Sequence, residues 1–173
     1  MSEESLLTKI PENTSFLQST KFTFIFPTLP FLRYFCQSIS IPGISTSEVT
    51  VSTPFSDTYR HGDKLSFETF NITAIVDEDL RVFEETYDWL TSLTFPEKFQ
   101  QYLRGDRTRN RAYHDGVLTI NTNSNIPNIR IQFFNCHPTS LSSVVFNTSD
   151  SSDSTPTIDV TFRYDYYKID RLR

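Results

Sequence analysis

Residues 158–166 read IDVTFRYDY, and this stretch decides the fold class. Ile158, Val160, Phe162, Tyr164 and Tyr166 alternate with Asp159, Thr161, Arg163 and Asp165. Successive side chains of a strand point to opposite faces, so the pattern predicts a strand with one buried and one wet face. The same period runs outward from there. Ile129, Ile131 and Phe133 alternate with Arg130 and Gln132, Val117–Asn121 is a short strand, and Val144–Phe146 is a further candidate. Near the other end, Phe22, Phe24 and Phe26 alternate with Lys21, Thr23 and Ile25. Phe31–Ile41 reads as extended until Pro42-Gly43 stops it. Leu65–Val76 reads as one strand whose apolar parity changes midway, from Leu65 and Phe67 to Phe70, Ile72 and Ala74. A single parity change predicts a bulge or bend.

Only one segment carries a helical period. Leu80, Phe83, Tyr87 and Leu90 recur at steps of three and four, with Glu84, Glu85 and Asp88 largely opposite. Asp77 is placed to cap the helix, Glu78 and Asp79 suit its positive end, and Pro96 marks the stop. Tyr87 and Trp89 read either as interface anchors or as packing onto the chain's own sheet.

Between these elements lie polar stretches. Residues 1–18 read as an arm, with one domain at 19–173. Residues 44–63, ISTSEVTVSTPFSDTYRHGD, are rich in Ser and Thr and read as a long excursion, a hairpin or loop whose tip leaves the domain. Residues 97–115 are charged and irregular and carry Arg104, Arg107, Arg109 and Arg111. That loop reads as phosphate-binding, as solvated, or as paired with acidic residues of a neighbour. A Ser/Asp/Thr loop, NTSDSSDSTP, leads into the closing strand.

The composition supports a β core and narrows the function. The chain has 173 residues, the size of one domain, and 16 Phe and 8 Tyr supply bulky strand-forming side chains. A net charge of −5 lacks the basic surplus of a general nucleic-acid binder. No apolar run spans a membrane and MSEESLLTKIPENTS is no signal peptide, so the chain reads as cytoplasmic until assembly. Cys36 and Cys136, far apart and outside any C-x-x-C pair, read as buried reduced thiols. The Asn-x-Ser/Thr triplets at Asn13, Asn71 and Asn147 read as chance. His61, His114 and His137 form no metal-binding spacing, and Cys136 next to His137 would point to the opposite face. No G-x-S-x-G, Walker A or G-x-G-x-x-G pattern occurs. No catalytic constellation, cofactor site or metal site is expected; the parts suit an assembling structural subunit.

Several motifs then carry a family likeness. CQSISIPGI at 36–44, GDKLSFE at 62–68, VDEDLRVFEETYDWL at 76–90 with LTFP at 93–96, CHPTSL at 136–141 and DVTFRYDYY at 159–167 occur in that order. Together they resemble the tail tube proteins of contractile-tailed bacteriophages. The resemblance implies a mainly β fold: a β-sandwich or partial barrel with one flanking helix and a long extended hairpin or loop. It implies that sheets of neighbouring subunits join into a ring-shaped β-barrel, six-fold and stacked into a tube. The tube conducts DNA without binding it specifically. Further partners would be the tail sheath around it and baseplate and terminator proteins at its ends, in a virion tail assembled in the host cytoplasm. On this resemblance Glu48, Thr50, Thr53, Phe55, Asp57, Tyr59 and Arg60 would make contacts between rings or subunits. Asp77, Glu84, Glu85, Asp88 and Trp89 would mark an outer-wall helix, and Asp159, Thr161, Arg163 and Asp165 would line the lumen or the exterior. Alternatives are a baseplate tube initiator, the tube of an injection or secretion apparatus, and a nucleic-acid binder using Arg104–Arg111.

Overall fold

The computed structural model describes residues 14–94, 113–149 and 155–172. The Arg104–Arg111 loop, Pro96, most of the arm and the middle of the 147–156 loop lie outside the described residues. Along the chain come β1 (Phe22–Ile25), α1 (Pro30–Phe35), β2 (Cys36–Ile39), β3 (Ile44–Ser52), β4 (Asp57–Phe67) and β5 (Phe70–Ile75). Then follow α2 (Arg81–Thr94), β6 (His114–Asn121), β7 (Pro127–Leu141), β8 (Thr157–Arg163) and β9 (Tyr166–Arg171). The strands β3 and β4 form a sheet of their own. The others follow the order β1-β6-β7-β8-β5-β2, with β9 also on β7, and every pairing is antiparallel.

The long strand β7 makes the architecture. Its first part lies between β6 and β9, and its last part pairs with β8. Across from it, the chain from Phe162 to Arg171 keeps one register through the bend: His137 faces Arg163 below it and Phe134 faces Tyr166 above it, and the register shifts only beyond Pro138. At the bend Asn135 takes a φ of 55°, a left-handed conformation that Asn tolerates. The Asp165 N–H donates to the Phe134 carbonyl at 3.0 Å, and the Asn135 amide donates to the Asp165 carboxylate. The paired ribbon folds over at this level. It yields two layers, β1-β6-β7-β9 and β7-β8-β5-β2, joined at β7 and ending in β1 and β2. The sheet does not close into a barrel within one chain.

Aromatic rings fill the space between the layers. Phe70 stacks on Phe133 of the opposite layer, ring centroids 4.7 Å apart, and on Phe162 beside it at 5.2 Å. Phe26 packs on both Phe162 and Trp89. Phe24, Ile72, Leu118, Ile131, Ile158 and Val160 complete the core. This core is what the alternating apolar residues around Phe162 predict.

Several expectations are corrected. Phe31–Ile41 is not one extended segment: Pro30 opens a six-residue helix whose Leu32 is buried, and only then does β2 begin. Proline suits a first helical position because its fixed φ is already helical and its missing N–H is not needed there. Among the described residues there are thus two helices, not one. The parity change in Leu65–Val76 marks a full break, with β4 ending at Phe67 and β5 starting at Phe70. Residues 158–166 are two strands, split at the Asp165 bend. Val144–Phe146 is not a strand; Val144 packs on the core while Val145 and Phe146 are exposed.

The helix α2 is also displaced from its expected place. It starts at Arg81, because residues 77–80 form a tight turn closed by the Leu80 N–H on the Asp77 carbonyl at 3.0 Å. Leu80 has a φ of 60° there, outside helical geometry. The buried stripe is therefore Val82, Thr86 and Trp89, not Leu80, Phe83, Tyr87 and Leu90. Thr86 is tolerated in the core because its hydroxyl donates to the Val82 carbonyl at 3.0 Å. Asp77 still caps the helix: its carboxylate accepts the N–H groups of Arg81 and Val82, each at 3.1 Å. Desolvation, the largest single influence, pushes this carboxyl upward, but the N–H groups of Val82, Arg81 and Asp77 and the Arg81 charge together outweigh it and hold it below its ordinary value. A depressed folded value stabilises at neutral pH and stops doing so as pH falls through it. Asp77→Ala should therefore cost about 1 kcal/mol at pH 7, the usual worth of such a cap. The gap to wild type should narrow in urea melts taken below about pH 3.9, the ordinary aspartate value.

Candidate assembly surface

The β3–β4 ribbon is exposed on both faces: all nine residues of β3 are exposed, and in β4 only Gly62 and Phe67 are half-buried. An isolated two-stranded ribbon is marginal in water, so its root must hold it. There the Glu68 N–H donates to the Gly43 carbonyl at 3.1 Å and Ile44 pairs with Phe67. The Phe67 ring meets Tyr164 and Tyr167 at 6.0 and 5.7 Å, and the Tyr167 hydroxyl donates to the Pro42 carbonyl at 3.5 Å. At the tip the Thr53 N–H donates to the Ser56 carbonyl and the Ser52 hydroxyl to Asp57, at 3.1 and 2.7 Å. This turn leaves Phe55 98% exposed.

Paired residues of an antiparallel ribbon share a face. Glu48, Thr50, Asp57 and Tyr59 therefore lie on one face together with His61. Arg60 lies on the other, with Val49 and Val51, and Thr53 and Phe55 belong to the turn. Halfway along, Ser47 alone faces Gly62–Lys64, between the pairs Thr46–Leu65 and Glu48–His61. The backbones close up at this bulge. A Cβ on residue 62 would stand 2.0 Å from the Ser47 hydroxyl and 2.6 Å from its carbonyl oxygen, so only glycine fits.

The layer β7-β8-β5-β2 turns its second face to solvent. Ser38, Asn71, Thr73, Asp159, Thr161, Arg163 and Ser140 share that face by register. Asp159 is fixed there by the Thr73 hydroxyl at 2.7 Å, while its N–H donates to Ser142 at 2.8 Å. The structure thus brings Asp159, Thr161 and Arg163 together but takes Asp165 out of the row, because Asp165 sits in the bend against Asn135. The layer's two ends also matter. β2 pairs with β5 on one side, and beyond Cys36 its outer edge meets no strand among the described residues. Among the described residues the last part of β7 also meets no strand on the side away from β8, since β6 pairs no further than Cys136.

The helix residues separate into two roles. Glu84 is exposed, but Glu85 is half-buried and accepts the Phe31 N–H at 3.2 Å. Desolvation raises its carboxyl above the ordinary value, opposed by the N–H groups of Phe31 and Leu32. With the Arg81 guanidinium over the Phe31 ring at 5.4 Å, this ties α1 to α2. Trp89 is core, not a surface anchor, and it is Tyr87 that is exposed, at 49%. The sequence reading puts Glu85 on an outer wall, because a six-residue helix leaves no periodic signal to show the element that receives it. The thiols are chemically quiet: burial pushes Cys36 up to about 11 and Cys136 up to about 12. Among the described residues no cluster of His, Cys, Asp and Glu is arranged to hold a metal ion.

Comparison with known proteins fits this geometry. The phage tail tube protein family matches residues 6–170, and the chain belongs to that family. A tail tube terminator protein of Enterobacteria phage T4 is 27% identical over 140 residues, covering 78% of this chain and 76% of the relative. The tube terminating cap of the anti-feeding prophage has a similar fold, with a TM-score of 0.66 at 13% identity, over 97% of this chain and 99% of the cap protein. A chain from the sheath–tube complex of an extracellular contractile injection system, PVC, gives a TM-score of 0.57 at 13% identity over 99% of both chains. The chain is a tail tube or tube-terminator-like protein, and its relatives are structural.

The close approach at Gly62 makes a sharp test of the ribbon. Gly62→Ala should force Ser47 and its partner strand apart, so amide exchange across Val49–Tyr59 should speed up at least tenfold. The thermal midpoint of the sandwich should move by no more than a few degrees, because the ribbon adds little to the core.

Proposed function

We propose that this chain forms a six-fold ring that ends the tube of a contractile tail, with residues 19–173 as the ring-forming unit and 1–18 as an arm. The observation that carries the ring is the pair of free edges of the layer β7-β8-β5-β2. Neighbouring strands alternate in direction through the layer, so β2 runs opposite to β7. When the layers of successive copies join head to tail, β2 of one meets the end of β7 of the next in the antiparallel sense. Repetition by rotation then gives a closed ring without exposed edges, which are otherwise aggregation-prone.

In this ring the face carrying Asp159, Thr161 and Arg163 lines the lumen. Its hydroxyls and amides, with Asp159 and Arg163 of opposite sign, give a wet wall without a strong net charge. Such a wall neither holds nor repels phosphates strongly, so DNA can pass. The α2 face with Glu84 and Asp88 lies on the outer wall. The β3–β4 ribbon, through Glu48, Thr50, Thr53, Phe55, Asp57, Tyr59 and Arg60, docks on the adjoining ring. The terminal position is supported by the T4 relative, itself a tail tube terminator. Sheath and baseplate proteins are the remaining partners, in a virion tail assembled in the host cytoplasm. A second reading, a subunit repeated along the tube, is favoured by the fold shared with the sheath–tube complex.

Negative-stain microscopy of the purified chain should show six-fold rings. Added in small amounts to polymerising tube subunits of the same tail, it should bind tube ends and stop elongation. Incorporation along the whole tube would instead establish the repeating subunit, and a strictly monomeric chain that never binds a tube end would remove both readings. Deleting Ser47–Asp57 should leave the circular dichroism of the sandwich intact but abolish docking onto tube ends.

A further inference from the structure

The sandwich is open between its two end strands. Between β1 and β2, over α1, lies a cleft of about 660 Å³ lined by Phe22, Phe24, Pro30, Arg33, Tyr34 and Cys36 among others. Tyr34 stands at 82% exposure on its wall. At the far side of the molecule, the chain leaving β7 exposes Val145 and Phe146, at 73% and 75%. Just before them, the Ser142 N–H donates to the Asp159 carbonyl at 2.9 Å and Val144 packs on the core. The pair is thus held out from a fixed root.

We infer that Val145 and Phe146 of one copy seat in the β1–β2 cleft of the next copy and lock the ring seam. The inference rests on the ring reading, and strand direction makes it specific. In an antiparallel seam, β7 of the neighbour runs from the Ile39 end of β2 towards its Cys36 end. Its continuation, Ser142–Phe146, then runs past Cys36 to α1 and the cleft, and not away from it. Four or five residues at about 3.3 Å each reach across the cleft mouth. The seam therefore has a hydrogen-bonded part, β2 on β7, and an aromatic anchor beyond it. A buried aromatic in a pocket is the usual form of an interface hot spot. The occupant is a second copy of this chain, because only the seam delivers the anchor with this polarity.

Cross-linking distinguishes this seam from the ring reading itself. On a Cys36→Ser background, Tyr34→Cys combined with Val145→Cys, which keeps the Phe146 anchor, should give a disulfide ladder up to the hexamer when assembled rings are oxidised. Neither single substitution should do so. Rings that form but give no ladder overturn the anchor and leave the ring standing; a wild-type chain that forms no rings removes both. As a second measure, Phe146→Ser should keep the monomer's circular dichroism and thermal midpoint, since the side chain is exposed there, and should weaken ring formation at least tenfold. Rings assembling as well as wild type would overturn the proposal.

Discussion

One bent ribbon governs this fold. β7 and the β8–β9 chain pair in a single register across a bend, and the bend is held by Asn135 in a left-handed conformation against Asp165. Because the register does not slip there, every residue of one layer has a fixed height relative to the other. That is why Phe70 can stack on both Phe133 and Phe162. It also decides which side of the sandwich is closed. The layers are continuous at β7, so the end strands β1 and β2, the cleft between them and the link through α1 collect on the opposite side from the unpaired edge of the last part of β7.

The division of labour among the parts follows from this. The core lies between the layers and is almost wholly aromatic and branched aliphatic. The surfaces that the proposed ring would use are those the core does not need: a ribbon exposed on both faces, two edges unpaired among the described residues and a polar outer face. The two helices add Leu32, Val82, Thr86 and Trp89 to the buried interior and are tied to each other. α1 spans the gap between the end strands, and α2 grips it through Glu85 at the Phe31 N–H. A carboxylate half-removed from water is a costly group to hold, and here the Phe31 N–H offsets part of that cost.

Much of the architecture was legible in the sequence. Alternation around Phe162 and Phe133 predicts strands with one buried face, the family resemblance implies the sandwich they build, and the Ser- and Thr-rich run 44–63 predicts an excursion that becomes β3 and most of β4. The misses have physical causes. A helix of six residues is shorter than the window in which a period can be seen, so α1 read as strand. The stripe of α2 was placed one residue off because the turn at Leu80 precedes the helix and adds an apolar residue with a plausible spacing. Asp165 looked like part of a wet row because a bend that preserves register leaves no mark on the alternation. Val144–Phe146 looked like a strand because apolar residues presented to a partner and those buried in a core have the same composition. Of the assembly surface, the residues were legible but their grouping was not: which of them share a face depends on the pairing.

The bulge at Gly62 has a consequence for how such a ribbon varies. Three residues of β4 stand against one of β3, so the surplus is an even number and the two-residue period survives it. Leu65 and Phe67 at the root and Tyr59 near the tip consequently remain on the same side. An insertion of one residue in each strand at the root would turn the ribbon beyond it over and present Val49, Val51 and Arg60 where Glu48, Thr50 and Tyr59 now stand. Matched insertions there preserve the present face only in steps of two.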